Sequence, residues 1–168
     1  MFRVVALLLL VAAVSETIGL TPAASKNCFC SKGDRATVLR QWRRLFETED
    51  GMFRAAVGRQ LLIALNETHP ETVPLFYRVD IANPYGAKFT AHAYRLFNAF
   101  DLTINLLGNP ETLNEVLNRL SDQHIARPGV RKLYFATVRE TLHVALPILL
   151  DEYDHLSWRQ CMDWIIDR

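Results

Sequence analysis

What the chain lacks narrows it first. Three cysteines in 168 residues are too few for a disulfide-dense scaffold, and no Cys-x-x-Cys pair is present to build a zinc ribbon or a redox dithiol. Lys and Arg total 19 against 18 Asp and Glu, so a net charge of +1 gives no electrostatic case for nucleic acid or an anionic membrane as partner. Only seven glycines and seven prolines occur, half the residues are hydrophobic and 22% are charged, which excludes collagen-like, low-complexity and disordered chains. Beyond Val14 no apolar run is long enough to span a bilayer. Sustained period-two alternation is missing too, and Asp50-Gly51 lies between helical patterns rather than between β-branched runs.

What is present begins with an address. Met1-Phe2-Arg3 gives a short positive start, Val4 to Val14 is apolar throughout, and small residues follow at Ser15, Gly19 and Ala23-Ala24. This is the layout of a secretory signal peptide over residues 1–24, with cleavage between 15 and 24. The run is about half the length a membrane anchor requires. The expected organisation is therefore a leader followed by one domain over 25–168, secreted into an oxidising compartment. There, an odd number of cysteines leaves at least one thiol free or bonded to another chain, and Asn66-Glu67-Thr68 is a formal glycosylation acceptor at Asn66.

The domain reads as helices. Val38, Leu39, Trp42, Leu45 and Phe46 recur at three and four, and Phe53, Val57, Leu61, Leu62 and Leu65 repeat the pattern before Pro70. Phe89, His92, Leu96, Phe100, Thr103 and Leu107 share one face of a long helix that ends at Gly108-Asn109-Pro110. Leu113, Val116 or Leu117, Leu120 and His124 mark the next, closed by Pro128-Gly129. Phe135, Val138, Leu142, Leu146 and Leu149 mark another, and Trp158, Cys161, Met162 and Ile165 the last. The class is all-α.

Two histidines sit on apolar stripes, His92 between Phe89 and Leu96, and His124 one turn beyond Leu120. A neutral imidazole on such a face needs a partner for its acceptor nitrogen. One such histidine is ordinarily a core residue bonded to a carbonyl. Two of them, on long helices flanking one core, instead fit an iron macrocycle held in an apolar slot. The other three histidines read as structural: His69 as an exposed corner residue, His143 off its stripe, and His155 in a polar turn.

The joint spacing of Pro70, Phe76, His92 and His124 resembles the globin fold, specifically the extracellular globins of annelid-type worms. The likeness extends from Cys30 to the end. It includes Leu75-Phe76-Tyr77-Arg78-Val79-Asp80-Ile81, Phe89-Thr90-Ala91-His92, Leu120-Ser121-Asp122-Gln123-His124 and Trp158-Arg159-Gln160-Cys161. It implies seven to eight helices around a pocket for haem b. It makes His124 the proximal iron ligand, His92 the distal residue facing oxygen, and Phe76 the ring wedged against the porphyrin. It places Leu62 and Leu96 on the distal side, and Leu120, Val130, Phe135 and Val138 on the proximal side, with Arg78 and Arg95 in reach of the propionates.

The same resemblance, with the positions of Trp42 and Trp158, pairs Cys30 with Cys161 and leaves Cys28 to bond a cysteine on another globin chain. It implies a subunit of a large extracellular haemoglobin, with further globin chains and linker chains as partners. The function expected is reversible oxygen binding and transport, without catalysis. The rival from another class is a haem enzyme, peroxidase-like or nitric-oxide dioxygenase-like. A peroxidase wants an arginine beside the distal histidine, and a dioxygenase needs a reductase for which the chain has no room.

Overall fold

Ser31 and Asp34 start the first helix by capping each other: Ser31 N donates to Asp34 Oδ2 at 2.9 Å, and Asp34 N donates to Ser31 Oγ at 3.2 Å. The computed structural model describes residues 30–47 and 50–166. The signal segment and Cys28 therefore lie outside the described residues. Within them the order is α1 (Lys32–Glu47), α2 (Gly51–Thr68), a 3-10 segment η1 (Pro70–Val79), α3 (Ala87–Asn105), η2 (Leu106–Gly108), α4 (Pro110–Ile125), α5 (Lys132–Leu149) and α6 (His155–Ile166). That makes six α-helices and two 3-10 segments, with no strand among the described residues.

The boundaries follow local chemistry. Asp50 caps α2 by accepting from Met52 N and Phe53 N, both at 2.9 Å. Asn109 caps α4 by accepting from Thr112 N at 3.2 Å, with Pro110 preset for the first turn. Asp80, in the left-handed region at φ 66°, terminates η1. The stripes in the sequence begin a few residues inside α4 and α6: α4 begins at Pro110, ahead of Leu113, and α6 at His155, ahead of Trp158, with Leu156 exposed off the stripe. They also miss η1, where Pro70 and Pro74 obscure helical character.

α2 crosses α3 at close range, and Gly58 permits it. A Cβ on Gly58 would stand 2.2 Å from the carbonyl oxygen of Ala93. α1 packs on α6, where Cys30 and Cys161 form a disulfide with Cα atoms 4.6 Å apart. Trp42, Trp158, Phe97, Leu146 and Met162 fill the centre, each almost fully buried. α4 differs from the rest. It is held chiefly against η2 and α3, and Leu113 is the one buried residue it contributes.

Candidate functional site

That loose attachment leaves apolar stripes on three elements only part-covered, the edges of a candidate slot. On α4, Leu117, Leu120 and His124 are half-buried; on α3, His92, Leu96 and Phe100 are half-buried; on η1, so are Leu75 and Phe76. Leu75, Phe76, Leu96, Phe100 and Leu117 pack against the edge of the main core. A helix whose apolar face is only half covered has room for an apolar, flat occupant.

The two histidines are built differently. His124 Nδ1 lies 2.7 Å from the carbonyl oxygen of Leu120. A carbonyl only accepts, so Nδ1 carries the proton and donates, and in the neutral ring Nε2 is left with its lone pair. Among the described residues no hydrogen bond engages Nε2. The ring of Phe135 meets His124 edge-on at 4.9 Å and fixes its plane. An imidazole oriented through one nitrogen and open at the other is a prepared metal ligand.

His92 makes no hydrogen bond among the described residues. Phe76 stands 5.9 Å and Phe89 6.5 Å from it, ring to ring. Burial holds its pKa below the usual histidine value, and the positive charges of Arg95 and Arg127 push the same way. The ring therefore stays neutral, with one N–H to donate. Arg127 is the residue missed by the sequence reading; its place one turn beyond His124 was the available signal.

The structure therefore brings Phe76 to His92 and Leu120 and Phe135 to His124. Leu62 and Val138 are buried at 3% and 9% exposure, and Val130 is half-buried just before α5. Arg78 and Arg95 are exposed. Asn66 has both amide atoms engaged: Nδ2 donates to Leu62 O and Oδ1 accepts from Thr72 Oγ1, each at 2.8 Å.

Two expectations need correction. His69 is not an exposed corner residue: its side chain is 16% exposed and lies 3.3 Å from Glu71, with Nε2 2.9 Å from Thr137 Oγ1. The corner folds back onto α5 and covers it. His155 is the first residue of α6 rather than part of a turn.

The residues present fit a haem: an open imidazole nitrogen on one helix, an unbonded neutral imidazole on another, apolar side chains between, and arginines at the edge. Comparison with known proteins points the same way. The family model described as Globin matches residues 59–168, more than half of the chain. Extracellular globin-3 of Lumbricus terrestris is 41% identical over 140 residues, covering 83% of this chain and 82% of that protein. The extracellular monomeric globin of Tubifex tubifex is 33% identical, covering 79% and 93%. Among solved structures, a hexacoordinated heme protein from an anhydrobiotic tardigrade superposes with a TM-score of 0.68 at 21% identity, over 82% of this chain and 90% of that one, a likeness of fold.

Proposed function

The chain belongs to the globin family, among its extracellular annelid members, and on that footing we propose that it is a secreted oxygen carrier holding haem b. One observation carries this reading: Leu120 accepts the Nδ1 proton of His124 and leaves Nε2 open on an apolar face. When bound, the haem supplies an iron that takes up oxygen reversibly. The residues around it do the rest.

His124 would hold the iron through Nε2, since its bond to Leu120 fixes the ring and strengthens it as a donor of electrons. His92 would offer one N–H to a bound ligand that carries partial negative charge. A hydrogen bond to such charge is worth roughly 1.5–3 kcal/mol. Leu62 and Leu96 add no second donor, which favours release over retention. Phe76, Leu120, Val130, Phe135 and Val138 would keep water from the haem, and the exposed Arg78 and Arg95 would meet its propionates. Arg95, three residues beyond His92, is exposed and would reach the distal side only by rearrangement. That counts against the peroxidase reading.

The signal segment puts the chain outside the cell, and Cys28 joins it to another globin chain in a larger particle that includes linker chains. Denaturing gels with and without reductant test that link: migration as a monomer under both conditions removes Cys28 from the assembly. Visible spectra under oxygen, carbon monoxide and peroxide test the whole reading. A carrier shows reversible oxygen and carbon monoxide forms without peroxide turnover, a haem enzyme consumes peroxide catalytically, and a helical protein without cofactor shows no visible bands.

A further inference from the structure

Thr72 is the one buried residue of η1, and it is polar. A buried hydroxyl costs free energy unless it is bonded. Asn66 of α2 supplies the bond. Its Nδ2 donates to Leu62 O at 2.8 Å, and since a carbonyl only accepts, this fixes which way the amide faces. Oδ1 therefore turns to Thr72, whose hydroxyl lies 2.8 Å from it and 2.6 Å from His69 O and shares its proton between the two. Thr72 N closes on the same carbonyl at 2.9 Å. His69, at the corner, reaches the other way. Thr137 of α5 donates its one hydroxyl proton to Leu133 O at 3.2 Å, so it accepts from His69 Nε2 at 2.9 Å. Side chains thus tie the start of η1 to α2 and to α5.

Those ties matter because the backbone of η1 does little to place it. A 3-10 run of 10 residues is long for its kind, and Pro74 inside it has no N–H to donate. With about three residues per turn, Leu75 falls on the side of Thr72, one turn further on. A Cβ on Gly129, between α4 and α5, would stand 3.3 Å from Leu75 Cδ2. Phe76 comes next, 5.9 Å ring to ring from His92. His92 makes no hydrogen bond among the described residues, so packing holds its ring, with Phe76 and Phe89 as ring neighbours. Phe89 belongs to α3 itself and is fully buried. Phe76 is the neighbour whose place depends on another element.

We propose that Asn66 and Thr72 are positioning residues: their hydrogen bond sets where η1 stands on α2, and so where Phe76 stands against His92. The proposal rests on the haem reading above for its effect on oxygen, and not for the placement of Phe76. Both residues act through Phe76. With their bond broken, η1 keeps its prolines and its apolar contacts but loses the buried contact that fixes its register on α2. Phe76 then shifts, and His92 loses the neighbour that orients its N–H.

Two variants of the full chain test this. Thr72→Val keeps the shape of the side chain and removes the hydroxyl, whereas Thr72→Ser keeps the hydroxyl and removes a buried methyl. Both are expected to lose stability in urea melts. Only Thr72→Val is expected to lose the ring-to-ring Overhauser contact between Phe76 and His92, read by NMR on the haem-free and the carbon monoxide-loaded chain. In the loaded chain it alone is expected to shift the infrared C–O stretch, which reads how near a donor stands, and to quicken oxygen release about two- to tenfold, as for a hydrogen bond weakened rather than removed. An unchanged contact in folded Thr72→Val, or equal changes in Thr72→Ser, overturns the proposal. So does a release rate that stays at the parent value once the contact is lost. If Thr72→Val does not fold, Asn66→Ala, at a half-buried helical position, decides by the same contact, stretch and rate. A chain that takes up no haem overturns the haem reading, while the contact in the haem-free chain still decides the placement of Phe76.

Discussion

The Nδ1–H of His124 donates to the carbonyl oxygen of Leu120 at 2.7 Å, one helical turn back along α4. This bond decides which nitrogen of the ring faces the slot with a lone pair. It also explains why a helix with so few core contacts can present an imidazole in a fixed orientation. The ring is tied to its own backbone.

On the proposed reading, replacement of His124 by Gly removes the protein's bond to iron. The variant is expected to lose haem in gel filtration and to recover a five-coordinate ferrous spectrum when imidazole is added. Stoichiometric haem and an unchanged spectrum without imidazole defeat the assignment.

His92→Leu keeps the apolar character of that face and removes the donor the proposed reading places there. Oxygen release measured by stopped flow is expected to quicken on the order of ten- to a hundredfold, the equivalent of about 1.5–3 kcal/mol. An unchanged rate constant contradicts the role given to His92.

The stripes that made the helices legible in the sequence include residues that pack: Trp42 on α1, Leu61 on α2, Phe89 on α3 and Leu146 on α5 are all buried where period 3.6 puts them. The stripe of α4 was equally legible, yet it is only half-buried beyond Leu113, because the helix packs chiefly on η2 and α3 near its start. η1 was not legible, since a 3-10 segment with Pro74 inside it has no α-helical period to read. Nor was the burial of His69. A polar residue at a corner looks exposed until the fold brings Thr137 of α5 over it. The bond from His124 to Leu120 is invisible to spacing alone, because any histidine on any helix has a carbonyl one turn back.

Gly58→Ala is expected to destabilise the protein by roughly 3 kcal/mol, because the new methyl lands 2.2 Å from Ala93 O and drives α2 and α3 apart. Neither helix can yield by rotating a side chain. A urea melt within about 0.5 kcal/mol of the parent contradicts the close crossing.

His143 binds its proton with difficulty in the folded protein, where burial holds its pKa down to about 4 from 6.5. The unfolded chain therefore binds more protons between these values, and stability falls as pH drops through that window. The full effect is on the order of 2–3 kcal/mol, all of it present above the unfolded value. In urea melts at pH 7 and pH 4.5, His143→Gln is expected to lose a smaller increment between the two than the parent does. Equal increments contradict a buried neutral His143.

Oxygen equilibrium of the haem-loaded chain bears on the central claim most directly. The account expects one oxygen taken up per chain, with full spectral reversal through repeated cycles of oxygen and vacuum. Failure to take up oxygen, or conversion to the ferric form within the first cycle, contradicts it.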